Sequence, residues 1–100
     1  PHTIVWEGEV DEVGYCRFRQ LTAADKEYIQ AAGRVTGASV AARACVCVLC
    51  DEEGKPLYTA KDEASLSQVP AYKLERIVDQ AMEVPTLGLY AAAVGAIEGN

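Results

Sequence analysis

The run from Ala38 to Cys50 constrains this chain more than any other feature. It is apolar on nearly every side, interrupted only by Ser39 and Arg43. Such a segment must be surrounded, so the remaining residues have to supply a shell around it. A buried helix and a buried strand look alike at this length. Ala38, Ala41, Ala42 and Ala44 favour a helix, whereas Val46, Cys47 and Val48 favour a strand; the reading adopted here is a central helix. The run falls short of the roughly 20 residues that cross a bilayer, so no membrane span is expected. Of the 100 residues, 50% are apolar and 24% charged. That composition suits one small globular domain, with a folded surface of roughly 5,500 Å² and room for a single core.

The shell can be read on both sides of the run. Thr3–Val10 and Val13–Arg19 are rich in β-branched and aromatic residues, and Asp11-Glu12 joins them, as in a β-hairpin over about 3–19. Cys16 and Phe18 alternate with Arg17 and Arg19, predicting a half-buried second strand with both arginines on the outer face. Two strands alone are marginal in water, so the hairpin must lie on a helical part, about 22–99. Thr22 is a candidate N-cap, with Asp25 adding negative charge to the first turn. That helix passes through Tyr28 and Ile29 and stops near Gly33, before a break at Arg34–Ser39. Asp51-Glu52-Glu53-Gly54-Lys55-Pro56 reads as a polar turn and Leu57-Tyr58-Thr59 as a short extended piece. Asp62–Leu66 fits one helical turn. Pro70 suits a first helical position, and Leu74, Ile77, Val78, Ala81 and Met82 form a core-facing stripe that ends at Val84-Pro85. Helical spacing returns at Leu87, Tyr90, Ala91, Val94 and Ile97, with Gly99 suited to a C-terminal cap. The predicted fold is α+β, mainly α: an N-terminal β-hairpin packed on a small bundle of three to four helices.

Charge and motif content narrow the function. Nine basic against fifteen acidic residues give a net charge of −6. Such a chain repels phosphate backbones, and only Arg17 and Arg19 lie close in sequence, so no nucleic-acid partner is expected. Pro1-His2-Thr3-Ile4 shows no charged segment leading into an apolar one, so no signal peptide is read. Four cysteines without a secretion signal point to free thiols in a reducing cytoplasm. Cys45-x-Cys47-x-x-Cys50 with Cys16 could supply four thiolates to zinc, but three of them sit in an apolar run, where small buried thiols are the commoner outcome. No metal and no cofactor are expected. Gly33–Ser39 lacks the lysine and spacing of a phosphate loop. Ser39, Ser65 and Ser67 have no base, since the single histidine, His2, lies near the N-terminus. Asp51, Glu52 and Glu53 read as a solvated turn, and the chain is expected not to be an enzyme.

What remains is apolar surface. The candidate protein-binding residues are Trp6, Tyr15 and Phe18 on the hairpin, Leu57 and Tyr58 after the acidic turn, and Leu87, Leu89, Tyr90, Val94 and Ile97 near the end. Half of these are expected to serve as the two ends of the core, and the rest as contact surface for partners or sister subunits.

The order of segments resembles the tail assembly chaperones of long-tailed bacteriophages. The residues that carry the resemblance are Trp6-Glu7-Gly8 and its strand, Arg17–Asp25 entering the first helix, and Ala42-Arg43-Ala44 opening the apolar run. They continue through Asp51–Thr59, Leu74-x-x-Ile77-Val78-x-x-Ala81-Met82, Leu87-Gly88 and the terminal Gly99-Asn100. Together they span about Thr3 to Asn100. The cysteine-rich run, and Pro85 where a polar Asn-Gly-like stop is expected, depart from the pattern. The resemblance implies a non-catalytic protein of the host bacterial cytoplasm that binds the tape measure protein, keeps it soluble and helps recruit tail tube subunits. It further implies a homo-oligomer that is absent from the finished virion. The alternatives are a head–tail connector or tail component that stays in the virion, and a cysteine-based zinc-binding module.

Overall fold

A computed structural model of the chain describes residues 3–97. Two strands, β1 (Ile4–Val10) and β2 (Gly14–Arg19), form an antiparallel hairpin. Five α-helices follow among the described residues: α1 (Ala23–Ala31), α2 (Val40–Val48), the single turn α3 (Glu63–Leu66), α4 (Ala71–Met82) and α5 (Leu89–Ile97). The architecture is therefore α+β, mainly α, with the hairpin on a helical bundle. The accessible surface, 5681 Å², is close to that of the scaling rule.

The run that dictated the fold is the helix α2, and Ala42, Ala44, Cys45, Val46, Cys47 and Val48 along it are all buried. Ser39 starts it, its hydroxyl accepting the Ala42 N–H at 3.0 Å. The strand tendency of the run survives at its end. Leu49 and Cys50 leave the helix extended, and the Cys50 N–H donates to the Arg17 carbonyl at 3.0 Å along the outer edge of β2. Gly54, at φ +83°, closes the acidic turn, and Cys50 bridges back to Pro56.

The inner face of the hairpin seals one side of α2. Trp6 pairs with Phe18 and stacks on it, ring centroids 4.9 Å apart. Gly8 leaves room for the indole, because a Cβ there would stand 3.1 Å from the Trp6 ring. Next to the hairpin, α4 packs on α2 and buries Leu74, Ile77 and Ala81, with Val78 and Met82 partly covered. Pro70 does not occupy the first helical position; it precedes it in an extended conformation, and its carbonyl accepts the Lys73 N–H. Leu87 likewise belongs not to α5 but to a short 3-10 turn, Pro85–Leu87, because Gly88 at φ +85° reverses the chain before Leu89. The Gly99 cap lies outside the described residues.

Arg19 corrects the simple alternation of β2: it is 6% exposed. Its guanidinium turns inward and donates through two nitrogens to both Asp25 oxygens, at 3.0 and 3.1 Å. Asp25 also accepts the Thr22 N–H at 2.8 Å while its own N–H donates to the Thr22 hydroxyl, a reciprocal cap on α1.

Candidate functional site

The candidate site is an apolar groove of about 470 Å³ between β2 and α4. Val13, Tyr15, Cys16 and Arg17 make one wall, and Leu66, Val69, Lys73, Leu74 and Ile77 the other. Leu49–Glu52, Leu57 and Tyr58 close one end. The floor is core: Cys16, Leu49, Cys50, Leu66, Leu74 and Ile77 are all buried. Tyr15 and Leu57 stand up at the rim, each 53% exposed. The volume falls in the range of small-ligand and peptide sites, and the lining is largely apolar with charges only at the edges.

Backbone as well as side chains shape the groove. Even-numbered residues of β2 face β1 with their N–H and C=O groups, as the bond from the Gln20 N–H to the Thr3 carbonyl on the inner edge and the bond from the Cys50 N–H to the Arg17 carbonyl on the outer edge indicate. Odd-numbered residues therefore present theirs outward. Arg17 uses its carbonyl on Cys50, but the chain then turns away at Asp51. Tyr15, the next outward residue, has no backbone partner on that edge among the described residues.

The rim charges differ in how far they are engaged. Arg17 lies 3.6 Å from Glu7 and over the Tyr15 ring at 5.1 Å, while the Tyr15 hydroxyl donates to Glu7 at 2.5 Å. The bond to Glu7 holds the Tyr15 hydroxyl in its protonated form and raises its pKa. Asp51 accepts the Lys55 and Glu53 N–H groups, and these bonds lower its pKa. Glu52 and Lys73 have no ion-pair partner among the described residues.

A second apolar surface lies on α5. Leu89, Ala92, Ala93 and Ala96 face the core, leaving Tyr90, Ala91, Val94 and Ile97 along the outer side. Tyr90 is 69% and Ile97 78% exposed, and the helix carries no charged residue. Thus Tyr15, Leu57 and Tyr58 meet at the groove, Tyr90, Val94 and Ile97 share a separate helix face, and Trp6 is half-covered on the hairpin. Phe18, Leu87 and Leu89 are not surface residues; all three are buried in the core, where large apolar side chains gain most from leaving water. Sequence reasoning missed Leu66 and Val69 as groove residues. The signal available was their apolar character three residues apart in an otherwise polar stretch before Pro70.

The groups considered for chemistry are engaged structurally. Burial pushes the Cys45 and Cys47 thiols up to about 12, so they remain neutral and weakly nucleophilic at neutral pH. Cys16 and Cys50 are buried too, and no group of three or more His, Cys, Asp or Glu among the described residues is arranged to hold a metal ion. Ser39 caps α2, and the Ser67 hydroxyl donates to the Glu63 carbonyl at 2.9 Å. His2 lies outside the described residues. Arg43 donates to both Glu63 oxygens at 3.1 Å and to the Tyr28 carbonyl at 2.7 Å, with its guanidinium 4.5 Å from the Tyr28 ring. The Tyr28 hydroxyl donates to Glu63 at 2.8 Å, so this cluster clamps α1, α2 and α3 together. No helix among the described residues is long and apolar enough to cross a membrane.

Among known proteins, no family model, no curated protein and no solved structure matches the chain.

Proposed function

We propose that this domain is a non-catalytic assembly chaperone of bacteriophage tail morphogenesis. It binds the tape measure protein in the host cytoplasm, keeps it soluble and helps recruit tail tube subunits. The observation that supports the reading is the exposed, uncharged face of α5, formed by Tyr90, Ala91, Val94 and Ile97, on a chain of net charge −6. Such a face can cover an apolar stripe on a long helical client while the acidic remainder keeps the complex hydrated. Many copies along one client, each with a small interface, gain from multivalency, which suits a homo-oligomer. The buried neutral thiols lend nothing to the zinc-module alternative.

The test is co-expression with the tape measure and tail tube proteins encoded beside this gene, read as soluble tape measure and its co-purification. Rescue is expected, and it should be lost with Tyr90→Ser combined with Ile97→Ser, two exposed positions outside the core, with circular dichroism checking that the variant stays folded. Absence of rescue and association with the wild-type domain folded overturns the reading. Detection of the chain in purified particles would then favour the connector alternative.

A further inference from the structure

We propose that the groove between β2 and α4 binds an extended peptide by strand addition. The guest is an apolar segment of another polypeptide with a basic residue at its N-terminal end. This deepens the reading of the domain as a polypeptide binder and identifies a second contact surface, distinct from α5.

Leu49 and Cys50 begin a third strand beside β2, antiparallel to it, and then abandon that edge at the Asp51 turn. The position that strand would have reached next, opposite Tyr15, is open and lies along the groove wall. A peptide entering there finds the outward N–H and C=O of Tyr15, which a helix cannot satisfy because its own backbone groups are already paired. The register dictates side-chain placement. Cys16 and Phe18 face the core, and Tyr15 and Arg17 face out, so the guest residue opposite Tyr15 points to solvent while its two neighbours point into the groove. The guest therefore reads apolar–polar–apolar. With its direction set by Leu49–Cys50, its N-terminal end must leave the strand before the place opposite Arg17, which Cys50 holds; it then lies beside Asp51 and Glu52, and charge complementarity calls for Lys or Arg there. The net charge of −6 disfavours a second copy of this chain as the guest.

The test uses the purified 100-residue chain and a synthetic probe, acetyl-Lys-Leu-Ser-Leu-Thr-amide, followed by amide NMR and hydrogen exchange. Expected are shifts at Cys16, Val69 and Lys73 and slowed exchange of the Tyr15 amide. Methylating the backbone nitrogen of the probe's serine, which faces β2, should weaken binding about tenfold, whereas methylating either leucine nitrogen should not. Exchanging the probe's lysine for glutamate should weaken binding about threefold, less so at high salt. Leu57→Asp, at an exposed rim position, should weaken it without unfolding the domain. No shifts, equal sensitivity to both methyl positions, or unchanged Tyr15 exchange overturns strand addition; indifference to the charge exchange overturns the basic guest. Probe binding is read without the tape measure, so failure of the co-expression test with probe binding intact ends only the chaperone reading. Rescue of the tape measure without probe binding ends only this one.

Discussion

Asp25 performs two tasks with one carboxylate. It closes the cap on α1 through the Thr22 N–H and neutralises the buried Arg19 guanidinium. The Nε of Arg19 is itself buried without a partner, so Asp25 is the main compensation for that charge. Losing the cap alone costs about 1 kcal/mol, whereas removing one member of a buried pair costs about 3–5 kcal/mol because the other charge is stranded. Asp25→Ala should therefore lower unfolding free energy about threefold more than Thr22→Ala, measured as urea midpoints of the two variants. Comparable losses would mean that Arg19 finds water or another acceptor. The cap was legible in the sequence because it is local, Thr22 and Asp25 being three residues apart. The burial of Arg19 was not, since alternation assigns a residue to a face of a strand but does not reveal that a long side chain curls from that face to a partner six residues on.

At the scale of elements, legibility follows how much of an element's burial is decided by its own pattern. The polar and apolar residues of α4 are sorted onto opposite faces, so its core stripe could be read directly. In α5 nearly every residue is apolar, and its neighbours decide which side is buried. The decisive contact is Gly33, in the 3-10 turn Ala32–Arg34 that follows α1, where a Cβ would stand 2.1 Å from the Ala96 carbonyl oxygen. A Cβ at Gly95 would likewise stand 2.9 Å from the Gln30 side chain, but that side chain can move. This approach draws Leu89, Ala92, Ala93 and Ala96 inward and leaves Tyr90, Val94 and Ile97 outside, a choice that spacing alone could not make. Gly33→Ala should push α5 off α1 and destabilise the domain by about 2–3 kcal/mol, at the upper end of overpacking because the obstacle is backbone. Hydrogen exchange should localise the change to Leu89–Ile97. An unaltered α5 would show that the helix shifts along α1 without loss.

The whole molecule couples these elements through titratable groups, and the groove belongs to this scale too, since its walls come from parts of the chain far apart in sequence. On the acid side, burial raises the pKa of Asp25 and of Glu63, but the bonds from Arg19 and Thr22 to the first, and from Tyr28 and Arg43 to the second, outweigh it and leave both lowered. Lowered carboxyls contribute stability that is present above their unfolded values, about 3.9 and 4.3, and is lost as pH falls through the folded ones. Stability should thus hold at pH 5 and decline below about pH 4. On the alkaline side the sign reverses. Burial raises Cys45 and Cys47 to about 12, so their contribution is complete below the unfolded thiol value and is lost as pH rises toward the folded one. With unfolded thiols near 8.5, the loss is on the order of 1–2 kcal/mol per thiol at pH 10. Self-repulsion of a chain already at −6 also grows with pH, but it acts equally on a variant lacking the thiols. Urea midpoints from pH 7 to pH 10.5 should fall more steeply for the wild type than for Cys45→Ala combined with Cys47→Ala, although the variant starts lower at pH 7 because of the packing it loses. The two curves should converge as pH rises. Parallel curves would mean that the alkaline limb comes from surface repulsion, and that the cysteine-rich helix at the centre of the fold has no part in the pH response.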